Sequence, residues 1–176
     1  IRDAQESRGL GDVYKRQIEK KSGVKKTESG LLYKITNEGD TTVRAKDPRD
    51  VVKVHYTGRT REGKVFDTSK FANRPKEQQE MLKQQRPDDY DKDEPIEFPL
   101  NRVIPGWTEG MQLVGKGGTI TLWIPAELAY GARGAGRDIG PNEALEFEVE
   151  LIDVTPYVEP APADSTAAAP AVEPAK

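Results

Sequence analysis

The residues of this chain best suited to act on a ligand are rings and branched aliphatics: Tyr56, Phe66, Asp67, Ile96, Phe98, Val103, Ile104, Trp107, Tyr130, Ile139 and Phe147. The set holds a single carboxylate and two phenols among hydrocarbon, so its chemistry is non-covalent: exclude water, hold an apolar group, and offer a few polar handles. The plain alternative makes all of them ordinary core, and for Phe98 that reading is at least as good. Three fit it poorly. Asp67 follows Phe66 directly and sets a carboxylate beside an apolar wall, Tyr130 stands in a glycine-flanked loop, and Trp107 sits where a helix begins.

Other chemistries lack their residues. The chain has one His and no Cys, so a Ser-His or Cys-His nucleophile would need His55, which lies mid-strand and reads as a structural or surface histidine. Glycine runs near Gly115 and Gly131 match neither a dinucleotide-binding nor a phosphate-loop spacing. The acidic run from Asp88 to Glu94 lacks the spacing of a calcium loop and reads as a solvated loop. No metal and no cofactor is expected. With 27 basic and 30 acidic side chains the net charge is -3, which argues against a sequence-independent nucleic-acid binder. Charged residues make up 32%, mean hydropathy is -0.76, and no apolar run is long enough to span a bilayer. The absence of Cys excludes disulfides and leaves the compartment open.

The elements that must position these side chains centre on Val103-Ile104-Pro105-Gly106-Trp107. A Pro-Gly break there turns the chain sharply into a short helix, and Met111, Leu113 and Val114 extend an apolar side too small to stand alone. That helix needs a sheet. Leu31, Tyr33 and Ile35 alternate with Leu32, Lys34 and Thr36, and Val52, Val54 and Tyr56 with Lys53, His55 and Thr57. Ile120, Leu122 and Ile124 alternate with Thr119, Thr121 and Trp123, and Leu145, Phe147, Val149 and Leu151 with Glu146, Glu148 and Glu150. A period of two with one apolar face describes antiparallel strands. The strand over residues 51–56 is expected to end at Thr57-Gly58, and Arg61-Glu62-Gly63-Lys64 to make a tight hairpin into residues 65–69. Pro99 marks residues 96–100 as an edge strand or a bulge. The fold class is α+β, an antiparallel twisted sheet of about five to six strands with one short helix across it.

Along the chain, the apolar residues Ile1, Leu10 and Val13 fall on no period, and Arg8 to Gln17 resembles a translated sequencing-adapter scar. Residues 1–17 are therefore expected to be a non-native leader, and residues 18–28 a loosely ordered polar lead-in. Residues 29–155 form the domain. Within it, residues 70–94 break the strand rhythm as a surface insertion, with a helix between Pro75 and Pro87. Residues 156–176, rich in Ala and Pro, read as a disordered tail.

Five motifs in order, His55-Tyr56-Thr57-Gly58, Gly63-Lys64-Val65-Phe66-Asp67-Thr68-Ser69, Val103-Ile104-Pro105-Gly106-Trp107-Thr108-Glu109-Gly110, Ala129-Tyr130-Gly131-Ala132 and Leu145-Glu146-Phe147-Glu148-Val149-Glu150-Leu151, closely resemble the FKBP-type peptidyl-prolyl isomerases. The resemblance implies a sheet curled around the helix and a shallow hydrophobic pocket between them. It implies Trp107 as floor, Tyr56, Phe66, Val103, Ile104 and Phe147 as walls, and Tyr130 and Asp67 as polar contacts, with the Ile104 amide as a second donor. Ile96 falls at a wall position usually aromatic, beside Phe98, and Ile139 in the matching stretch of the last loop. Implied partners are proline-containing unfolded or partly folded polypeptides, with macrolide inhibitors as a further ligand class. Departures at Ile96 and in Arg133-Gly134-Ala135-Gly136-Arg137-Asp138 bear on substrate preference and macrolide affinity more than on activity. The insertion resembles a longer version in some bacterial members. The expected location is the bacterial periplasm or envelope rather than the cytoplasm. A binding module that holds proline segments with little turnover is the alternative.

Overall fold

The computed structural model describes residues 13–159. Seven strands form one antiparallel sheet: β1 (Lys25–Lys26), β2 (Leu32–Asn37), β3 (Val51–Thr60), β4 (Val65–Thr68), β5 (Ile96–Pro99), β6 (Thr119–Ile124) and β7 (Leu145–Thr155), in the order β1-β2-β6-β7-β3-β4, with β5 also on β3. Four of them, β2, β3, β6 and β7, fall where the alternation puts strands, and β4 and β5 where the hairpin and the run around Pro99 do. The seventh, β1, is a two-residue pairing of Lys25 and Lys26 with Tyr33 and Leu32, too short to carry a period. Helices are α1 (residues 13–19), α2 (Lys76–Gln85) and α3 (Pro105–Gly110).

The inner face carries Val52, Val54, Ile120, Leu122, Ile124, Leu145, Phe147, Val149 and Leu151, all buried, and α3 lies across it with Trp107 and Met111. Removing this hydrocarbon from water is the dominant stabilising term. The register of β6 on β7, with Ile120 opposite Val149 and Leu122 opposite Phe147, keeps these apolar side chains on the inner face and leaves Trp123 opposite Glu146 on the outer one.

Strand β3 runs four residues past the expected stop at Tyr56, through Thr57 and Gly58 to Thr60, because β7 pairs with it along its whole length. Its other edge is shared: β5 pairs with Val51 to Val54, and β4 with Thr57 to Arg59. Tyr56 sits at the seam between the two partners, and the insertion leaves the sheet there. Pro99 lies on β5, which pairs with β3 alone, so the missing N–H breaks no central ladder.

Residues 13–17, expected to stand outside the fold, belong to α1 on the outer face. Ile18 is buried with Leu32 and Trp123, and Tyr14 packs on the same cluster. Tyr14 and Ile18 are one helical turn apart, and Trp123 is the aromatic member of an otherwise polar outer row. Residues 1–12 of the expected leader lie outside the described residues, as do residues 160–176 of the tail. The first tail residues are pinned: Tyr157 N donates to Asp50 Oδ1 at 2.7 Å, and Arg49 stacks over the Tyr157 ring at 4.3 Å.

Candidate active site

Helix α3 starts at Pro105, whose fixed φ suits the first helical position, and the Ile104 carbonyl accepts the amides of Trp107 (2.9 Å) and Thr108 (3.2 Å). Thr108 Oγ1 donates to the Leu100 carbonyl at 2.5 Å and ties the helix to the preceding turn. Two glycines set its height over the sheet. A Cβ on Gly106 would stand 2.5 Å from Ile124 Cγ2, and one on Gly110 2.6 Å from Leu122 Cδ2. The helix therefore lies flush on β6 and drives Trp107 into the sheet, where it is 4% exposed.

Three rings meet the indole edge-to-face: Tyr56 at 5.4 Å, Phe147 at 5.4 Å and Phe98 at 5.5 Å between centroids. Phe66 meets Phe147 in the same way at 5.5 Å, one ring further out. Each such pair adds about 0.5–1.5 kcal/mol beyond its burial, so the cluster is rigid as well as apolar. Gly58 makes it possible. A Cβ there would lie 2.7 Å from both Phe147 Cε1 and Phe66 Cζ, so the two rings close over a bare stretch of β3. The sequence reading took Gly58 as a strand terminator; a glycine two residues after an inward-facing Tyr was the available signal.

The Tyr56 hydroxyl donates to Asp67 Oδ2 at 2.6 Å. Opposed pairing of Gly58 with Asp67 across β3 and β4 makes this reach possible. Burial pushes the Tyr56 phenol well above its ordinary value, helped by the Asp67 hydrogen bond and charge, while Arg74 opposes the rise. Tyr56 is thus a fixed donor at neutral pH, and the exposed Asp67 keeps acceptor capacity toward solvent.

Tyr130 follows a 3₁₀ turn at Ala126–Leu128 and is 41% exposed; its hydroxyl has no hydrogen-bond partner among the described residues. The Ile104 amide likewise donates no hydrogen bond among the described residues. Val103 and Ile104 are half-buried against the core. Ile139 is buried, its carbonyl accepting the Ala135 amide at 2.8 Å, and Lys64 Nζ reaches Asp138 at 2.9 Å to fasten that loop to the β3–β4 hairpin. Ile96 sits apart: it is 37% exposed at the start of β5 and outside the packed cluster. His55 alternates with Tyr56 onto the other face, 3.1 Å from Ser69 Oγ. Among the described residues no group of three or more His, Cys, Asp or Glu side chains is placed to hold a metal.

Sequence reasoning also missed the base of the insertion. Asn73 Nδ2 donates to Thr57 Oγ1 at 2.9 Å, and Gln79 Nε2 meets the carbonyls of Phe71 and Arg74, both at 3.1 Å. These bonds hold Arg74 beside the Tyr56 seam. No periodicity announces them.

Residues 42–152 match the family model of the FKBP-type peptidyl-prolyl cis-trans isomerases. The chain is 42% identical over 157 residues to a probable FKBP-type peptidyl-prolyl cis-trans isomerase of Haemophilus influenzae, covering 89% of this chain and 56% of that one. It is 37% identical over 151 residues to a protein of Legionella longbeachae named outer membrane protein MIP, covering 86% and 55%. The crystal structure of FkpA from Escherichia coli superposes with a TM-score of 0.69 at 38% identity, covering 88% of this chain and 62% of that one. The chain thus spans little more than half the length of these relatives.

Proposed function

The chain belongs to the FKBP-type peptidyl-prolyl cis-trans isomerases, and on that premise we propose that it accelerates rotation about X–Pro bonds in unfolded or partly folded polypeptides. The observation that carries the reading is the set of three rings standing edge-on to Trp107, with the Tyr56–Asp67 hydrogen bond at its margin. Rotation about the amide meets a barrier of about 18–20 kcal/mol because twisting removes its resonance. The planar amide is more zwitterionic than the twisted one. A dry, apolar surface therefore disfavours the planar state more, and a prolyl ring resting on Trp107 stays fixed while the preceding carbonyl swings.

An acceleration of about 10⁵ requires about 7 kcal/mol of barrier lowering. The free donors, Tyr130 hydroxyl and Ile104 amide, supply about 1 kcal/mol each by hydrogen bonding the substrate. Desolvation and selection of a twisted conformer supply the rest. Asp67 acts as a positioning residue that orients the Tyr56 phenol, which in turn packs on Trp107. Phe66, Phe98, Val103, Phe147 and Ile139 surround the prolyl ring in this reading, and Ile96 meets the neighbouring substrate residue at the exposed end of β5.

The test is turnover of a proline tetrapeptide, followed as cis-to-trans relaxation. Wild type is active, and Tyr130→Phe loses rate with little change in stability. Binding without turnover would instead support a proline-holding module, which one feature favours: Met81 stands exposed on the insertion helix. The name of the Legionella relative supports placing the protein in the bacterial envelope. Fractionation of the native host is the check.

A further inference from the structure

Resting on the isomerase reading, the charges around the aromatic cluster carry a statement about substrate. The segments at its margin contain three carboxylates held by fixed bonds: Asp67 accepts the Tyr56 hydroxyl, Asp138 pairs with Lys64 at 2.9 Å, and Glu143 accepts the Gly140 amide at 2.8 Å. The guanidinium groups there are unpaired. Arg74, Arg133 and Arg137 have no carboxylate within 4.0 Å among the described residues. The one side-chain hydrogen bond of Arg74 there is a long 3.5 Å contact to Gln78.

Their positions are set by the fold. Arg74 is next to Asn73, which bonds Thr57, and its own carbonyl is held by Gln79. It is near enough to Tyr56 to oppose the upward shift of that phenol. Arg133 and Arg137 are exposed on the turn between Tyr130 and Ile139, which the Ala135–Ile139 pairing closes and the Lys64–Asp138 bridge fastens beside Phe66. Two separate elements, the insertion and the last loop, therefore bring guanidinium groups without a paired carboxylate to the margin, with Glu127 exposed before Tyr130 and Glu143 bonded to the Gly140 amide as the other acids of that loop.

We propose that Arg74, Arg133 and Arg137 form a cationic rim that selects polypeptides carrying a Glu or Asp close to the X–Pro bond. The contacts are solvent-exposed, so each is a modest electrostatic preference. The acidic run 88–94 on the insertion makes the local field mixed, with Asp93 already accepting the Phe71 amide, which is why the test reverses charge at named residues instead of relying on salt alone.

The experiment measures kcat/KM on matched proline peptides bearing Glu, Gln or Lys at the two positions before the X–Pro pair and the two after it. Wild type should favour Glu over Lys about two- to five-fold at low salt in at least one position. In the Arg74→Gln, Arg133→Gln, Arg137→Gln triple variant that ratio should fall to about one, and in the triple Glu variant it should invert. Because each ratio compares peptides on the same protein, loss of folded material does not alter it. A wild-type ratio near one at all positions, or a ratio that survives the triple substitution, overturns the rim. Calorimetric affinities for the same peptides report the charge preference without turnover, so a chain that binds but does not turn over any peptide refutes the isomerase reading while the rim is still judged.

Discussion

Placing a methyl group on Gly58 tests whether the ring cluster is assembled as described. A Cβ at that position would stand 2.7 Å from Phe66 Cζ and from Phe147 Cε1. Phe66 is half-buried and can swing outward, whereas Phe147 is wedged against Trp107, Tyr56 and Phe66 and cannot move alone. Overpacking of this kind costs about 1–3 kcal/mol, and removing a flexible glycine from the unfolded chain returns about 0.4–1. The net expectation for Gly58→Ala is a loss centred on about 1.3 kcal/mol, or a fall of about 3–5 °C in Tm.

Gly63→Ala is the matched control. It sits at the hairpin with φ 88° and nothing within 4 Å of its Cβ, so it loses stability through left-handed backbone strain alone. Urea unfolding, near-ultraviolet circular dichroism and peptide turnover separate the two. Both variants lose stability; Gly58→Ala also changes the aromatic ellipticity and lowers kcat/KM several-fold, while Gly63→Ala keeps both. Unchanged ellipticity and turnover in Gly58→Ala would refute the claim that the rings owe their placement to that bare stretch of strand.

Two further outcomes follow from single hydrogen-bonded groups. The Tyr56 phenol has a raised folded-state pKa, so it keeps its proton where the unfolded chain has lost its own, and stability must fall as pH rises above the unfolded value of about 10. The slope is about 1.4 kcal/mol per pH unit for each such phenol. Tyr14, also raised by burial, contributes a second share, and Tyr56→Phe should remove one of the two in urea titrations above pH 10. Asp50 is buried and accepts the amides of Lys46, Asp47 and Tyr157. Asp50→Ala orphans all three and should cost about 2–3 kcal/mol in urea unfolding, with turnover per folded molecule unchanged.

Where burial on one face was continuous, the alternation of residues located the strands, and the run from Leu145 to Leu151 fixed both the element and its inward side chains. Gly58 misled because glycine ordinarily ends a strand, and the reason it does not here, the pairing of β7 along the whole of β3, lies in residues remote in sequence. Helix α1 escaped notice since its support is Trp123, an outer-face residue that an inward-looking pattern discards. Tyr157 was assigned to the tail because composition carries no trace of an aspartate more than a hundred positions earlier. Within the site, motifs identified the residues, but the Tyr56–Asp67 bond depends on cross-strand register, and the place of Arg74 depends on bonds from Asn73 and Gln79. Neither leaves a periodic signature.

The central claim, that a prolyl ring seats on Trp107, is tested most directly by fluorescence in the Trp123→Phe variant. That substitution leaves Trp107 as the sole indole and lies on the opposite face of the sheet. Titration with a proline peptide should shift the emission with a midpoint matching KM, and the same peptide with Ala for Pro should leave it flat. Full turnover with no emission change at saturating proline peptide would contradict the account.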